Sequence, residues 1–124
     1  MEEDVILVDT NAWIRHLRKA DARLVTFLNE HRVRTCDVVI GELLLGSGVP
    51  KGVVRDLLAL PRLPSPGGTE TRVFIERHGR TFAASGVGWA DAQIVLAATK
   101  AGARLYTADV AVRKVCRSLD VVVA

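Results

Sequence analysis

No stretch of the 124 residues approaches the roughly 20 consecutive apolar residues of a membrane span, so a membrane-spanning helix is not expected. Cysteine is scarce. Cys36 and Cys116 stand far apart, in no metal-like spacing, each beside apolar or strand-like residues. They read as two reduced, semi-buried thiols rather than as a zinc site or a disulfide. There is no P-loop, and the glycine pairs Gly46-Ser47-Gly48 and Gly86-Val87-Gly88 follow helices rather than strands, which argues against a dinucleotide site. Internal repeats, low-complexity tracts and linkers are absent too, so a single domain over residues 1–124 is expected. The opening Met1-Glu2-Glu3-Asp4 is acidic, the opposite of a signal peptide's start, and the expected location is the cytoplasm.

Hydrophobic residues make up 49% of the chain and charged residues 25%, enough for a sizeable core. Net charge is +3, and the excess comes from arginine. That permits a polyanionic partner, but a solvated basic surface would give the same total.

Val5-Ile6-Leu7-Val8 is short, apolar and β-branched, the signature of a strand buried on both faces in a parallel sheet, and it runs straight into Asp9-Thr10-Asn11. The spacing then predicts helices over 11–18 and 22–30, the second capped by Asp21, and a strand over 33–36. Asp37 is placed to cap a helix over 38–45, and Pro50 to open another through Leu60. Leu60 to Pro64 reads as a proline-bearing edge strand, and Thr69 as the cap of one long helix through about Ser85. An alanine-rich buried helix over 89–100 stops at Gly102. A strand over 104–107, a helix over 109–118 and a closing strand over 121–123 complete the pattern. Strands alternating with helices call for an α/β fold, a parallel sheet with helices on its faces.

Four acids occupy unusual places. Asp9 and Asp109 follow strands, while Glu42 and Asp91 are isolated within apolar helices. Burying a lone carboxylate is expensive, so buried charges are paired or bind metal. Ligands of open α/β sheets bind beyond the carboxyl ends of the strands, and the four segments can bring their acids to that one edge. Each acid has a purely structural reading as well: Asp9 and Asp109 as helix caps, Glu42 as the partner of a core arginine, Asp91 as a complement to its helix N-terminus. Together they suit Mg²⁺ or Mn²⁺, which prefer oxygen ligands. Asn11, Thr10 and Thr107 are placed to orient a carboxylate, a water or a phosphate, or to make ordinary turn and capping bonds. His16, His31 and His78 have no nucleophile in a known spacing and are expected at the surface.

The ordered set Asp9-Thr10-Asn11-Ala12-Trp13, Gly41-Glu42-Leu43-Leu44-Leu45-Gly46, Gly86-Val87-Gly88-Trp89-Ala90-Asp91 and Leu105-Tyr106-Thr107-Ala108-Asp109 resembles PIN-domain ribonucleases, and more closely the VapC-type toxins of toxin–antitoxin pairs. The resemblance implies a three-layer α/β/α fold with a five-stranded parallel sheet and a Mg²⁺- or Mn²⁺-dependent endoribonuclease. Asp9, Glu42, Asp91 and Asp109 would be its acidic metal-binding tetrad, supported by Asn11 and Thr107. It further implies an RNA substrate, a homodimer and a cognate VapB-like antitoxin lying over the active-site groove. Val112 and Arg113 stand where the family often carries an aromatic residue. The rival from another class is a non-catalytic RNA- or partner-binding module on the same fold. A DNA nuclease and a phosphatase of small esters are further rivals, separable by substrate.

Overall fold

In a computed structural model, residues 4–46 and 48–124 are described. The acidic start at Met1–Glu3 and Ser47 of the Gly46–Gly48 break lie outside them. The sheet is built from β1 (Ile6–Val8), β2 (Val33–Arg34) and β3 (Arg104–Tyr106), in the order β2-β1-β3 and parallel throughout. Ile6 faces Val33 on one side and Arg104 on the other. All three side chains of β1 have no exposed surface, as a central strand covered on both faces requires. Burying a side chain of this size contributes about 1.5–3 kcal/mol.

The sheet has three strands where the family resemblance implies five. Both expected edge segments lie in the right places but make only isolated parallel bridges, Thr35 to Arg62 and Leu105 to Val123. On the first edge, Thr35 N–H donates to Pro61 and Leu63 N–H donates back to Thr35. Pro61 and Pro64 have no N–H to extend that ladder.

The helices are α1 (Thr10–Arg18), α2 (Ala22–Asn29), α3 (Asp37–Leu45), α4 (Lys51–Leu58), α5 (Gly68–Arg77), α6 (Gly79–Ala83), α7 (Trp89–Ala101) and α8 (Val110–Ser118). Asp21 caps α2 through the Arg23 and Leu24 amides, as its position predicts. Asp37 is the first residue of α3 rather than its cap; Cys36 takes that place. The long helix expected from Thr69 to Ser85 is two helices. Its start lies earlier, with Gly67 as cap and the Glu70 carboxylate accepting the Gly67 N–H. It breaks at His78, whose backbone leaves the helical region (φ −114°, ψ 35°) ahead of Gly79, a poor helix former. Phe74 packs edge-on against both His78 and Phe82, which holds the two pieces together.

α7 is the internal helix. Ala92, Ile94, Val95, Leu96, Ala97 and Ala98 are all buried, and it packs against α3, α5, α8 and β3. An apolar helix needs such covering on most sides. Gly102 ends it in the left-handed region (φ 63°), where glycine carries no Cβ penalty. No helix of the described residues is long and apolar enough to cross a membrane.

Candidate active site

Asp9 is the residue after β1 and the cap of α1, and it is 1% exposed. Its Oδ1 accepts the Thr10 N–H at 2.7 Å, and its Oδ2 accepts the Thr107 hydroxyl at 2.6 Å. Each carboxylate oxygen has a second lone pair, so these bonds fix the group without exhausting it. Burial raises the Asp9 carboxyl above the ordinary carboxylate range; the bonds from Thr107 and Thr10 oppose that rise, and the negative charges of Glu42 and Asp109 add to it.

Glu42 lies in the second turn of α3, half-buried. Its Oε1 accepts the Thr10 hydroxyl at 2.6 Å, across 32 residues of chain. Thr10 therefore uses its amide on Asp9 and its hydroxyl on Glu42. Asp109 caps α8, with Oδ1 on the amides of Ala111 (2.8 Å) and Val112 (3.1 Å). Its own N–H donates to the Thr107 hydroxyl at 3.1 Å. Asp91 occupies the first turn of α7. Its carboxyl is pushed up to about 6 by burial and by the charges of Asp9, Glu42 and Asp109, with the Gly88 backbone pulling weakly the other way.

The four acids thus come to one edge of the sheet and feel one another's charge. The structural roles weighed for Asp9, Asp109 and Asp91 are real: two are caps and the third sits in a first turn. Glu42 has no arginine partner; among the described residues none of the four is in an ion pair. Among those residues, too, no three acidic, histidine or cysteine side chains are drawn together as a closed metal cage. An oxygen-only set with no ion-paired cation among the described residues is nonetheless the donor chemistry that a hard divalent ion fits.

The supporting residues divide. Thr107, 1% exposed, joins Asp9 to Asp109 through one hydroxyl. Asn11 is exposed on α1 and makes no side-chain hydrogen bond among the described residues. Thr10 is the supporting residue that sequence reasoning left undecided; a hydroxyl directly after the strand-end acid was its only signal. Of the histidines only His31 is exposed, while His16 is half-buried and accepts the Asp21 N–H at Nδ1 (3.0 Å). Both cysteines are fully buried and free. Beside Glu42, a largely apolar groove of about 470 Å³ runs between α1, α3 and α4, lined by Ile14, Leu17, Leu43, Val49 and Val53.

The PIN domain family model matches residues 6–118. Ribonuclease VapC32 of Mycobacterium tuberculosis, strains H37Rv and CDC 1551, is 40% identical over 122 residues, 97% of either chain. Among solved structures, VapBC-1 from nontypeable Haemophilus influenzae superposes with a TM-score of 0.68 at 18% identity, covering 97% of this chain and 96% of that one. FitAcB from Neisseria gonorrhoeae gives 0.63 at 24% identity, covering 96% of each. At such identities the two structures speak to the fold alone.

Proposed function

The chain belongs to the PIN-domain family, and on that premise we propose that it is a Mg²⁺- or Mn²⁺-dependent endoribonuclease, the toxin of a type II toxin–antitoxin pair. One observation supports the chemistry: Asp9, Glu42, Asp91 and Asp109, from four separate segments, lie near enough at the carboxyl edge of the sheet for the charges of the other three to raise the Asp91 carboxyl, with no cation paired to any of them among the described residues. The 40% identity to a protein named Ribonuclease VapC32 supports RNA as the substrate and a VapB-like antitoxin as the partner.

In this reading Asp9, Asp91, Asp109 and Glu42 would hold the ion. When bound, Mg²⁺ or Mn²⁺ supplies Lewis-acid polarisation of the scissile phosphate and a lowered pKa for an attacking water. The chain's own contribution is to fix the ligands. Thr107 orients the Asp9 carboxylate from the β3 side, Thr10 orients Glu42 from α1, and the Ala111 and Val112 amides hold Asp109. Such outer bonds set ligand direction and basicity. Asn11, exposed at the start of α1, would meet substrate or water rather than a neighbouring carboxylate. The groove beside Glu42, with exposed Leu44 and Leu45 on the same helix, suits the apolar face of an antitoxin segment. Homodimerisation and a cytoplasmic location belong to the same proposal.

The test is metal removal. Purified protein incubated with RNA should cleave in Mg²⁺ or Mn²⁺, stop in excess EDTA, and recover when metal is restored. Undiminished cleavage in EDTA would sink the reading.

A further inference from the structure

Thr107 faces two ways. Its hydroxyl serves the acids, while its carbonyl accepts the Arg113 Nε–H at 3.1 Å. Beside it lies a cavity of about 150 Å³ lined by Arg15, Arg113, Asp21, Tyr106 and Thr107. That is well below the 300–1,000 Å³ of pockets for drug-sized ligands, so it suits one small group.

Its charge is positive. Asp21, the one acid in the lining, is already committed: Oδ1 takes the Arg23 and Leu24 amides, and Oδ2 takes the Tyr106 hydroxyl at 2.5 Å. Neither Arg15 nor Arg113 is in an ion pair among the described residues. Anchoring Nε on a backbone carbonyl leaves the two terminal nitrogens of Arg113 for a bidentate contact with an anionic oxygen pair. Two guanidiniums beside a cluster of carboxylates make a sharp change of sign across one residue, Thr107. A cationic cavity beside the acids offers the anionic backbone a second point of attachment next to the scissile phosphate.

We propose that this cavity is a second phosphate subsite, in which Arg113 and Arg15 hold a backbone phosphate of the RNA next to the scissile one and so set the strand's register over the acids. The inference rests on the ribonuclease reading and adds two positioning residues to it. Phosphate contacts of this kind position a strand without reading its sequence.

The test uses an oligoribonucleotide that the wild-type protein cleaves. Arg113→Gln and Arg15→Gln should each lower kcat/KM by about tenfold or more, mainly through KM, and Arg113→Lys should recover part of the loss. The slope of log Kd against log salt should shrink by about 0.7 for each contact removed. A neutral methylphosphonate walked along the strand should reproduce the loss at one position adjacent to the cut, and should cost less in Arg113→Gln than in the wild type and nothing further in the Arg15→Gln/Arg113→Gln double variant. Arg15 is exposed on α1, so Arg15→Gln answers the question even if Arg113→Gln misfolds. Unchanged KM and salt slope in Arg15→Gln and in folded Arg113 variants, with wild-type cleavage intact, would overturn the subsite alone. Absence of RNA cleavage by the wild type in Mg²⁺ or Mn²⁺ would overturn the ribonuclease reading and the subsite with it.

Discussion

Thr107 and Asp9 are joined by a 2.6 Å hydrogen bond between side chains 98 residues apart, buried at both ends. The same hydroxyl receives the Asp109 N–H. One oxygen atom thus ties the strand-end acid of β1 to the cap of α8, and the geometry of both acids depends on it.

Replacing Thr107 by Val keeps the shape and removes both bonds. The buried Asp9 carboxylate then loses a partner, at a cost of about 1–3 kcal/mol, and the part-buried Asp109 N–H loses one at a smaller cost. We expect Thr107→Val to lower the melting temperature and to slow RNA cleavage by ~10–100-fold, the usual effect of losing a ligand's outer partner. Thr107→Ser, which retains the hydroxyl, should stay close to wild type. Thermal unfolding and cleavage rates of the two variants check this; a Val variant matching wild type in both would contradict it.

Asp91 makes the pH dependence specific. Its carboxyl is raised from an unperturbed 3.8 to about 6, so the folded protein disfavours the charged form. The stability this group contributes is full below about pH 4 and is lost as pH rises through about 6. Discounted for the solvent reaching this half-buried carboxylate, the effect is about 1 kcal/mol. In metal-free protein Asp91→Asn should therefore be more stable than wild type at pH 8, with the gain vanishing near pH 4. Denaturant unfolding at both pH values measures it. An Asn variant less stable than wild type at pH 8 would show that burial and the neighbouring charges do not disfavour the ionised Asp91 carboxyl.

The acids were legible in the sequence because each interrupts or ends an apolar run, as Glu42 interrupts Val38 to Leu45 and Asp9 ends Val5 to Val8. Their bonding partners were less so. That Thr10 reaches Glu42 depends on how α1 packs against α3, a relation between side-chain directions that spacing does not encode. The break at His78 was hidden because Gly79 is a single weak signal inside a helical pattern. The edge segment at Leu60 to Pro64 was placed correctly and its pairing overestimated, since prolines remove donors without moving the chain away from the sheet. Nothing in the sequence brings Arg15 and Arg113 to one cavity; it arises where α1 and α8 approach the end of β3.

Burial also fixes the chemistry of the thiols. Cys36 and Cys116 have no exposed surface, and burial with the nearby Asp9 charge pushes Cys116 up to about 11. Thiolate is the reactive form, so both should be inert at neutral pH. Ellman's reagent should titrate neither in the native protein and both after unfolding in denaturant. One equivalent released rapidly from native protein would contradict the packing around these residues.

The central claim is that Asp9 is the anchor of a shared metal site, and Asp9→Asn tests it most directly because it removes one charge at nearly constant volume. With folding verified by circular dichroism, the variant's RNA cleavage in saturating Mg²⁺ or Mn²⁺ should fall by ~10²-fold or more, corresponding to several kcal/mol of lost charge stabilisation. A folded Asp9→Asn protein that cleaves RNA at the wild-type rate would contradict it.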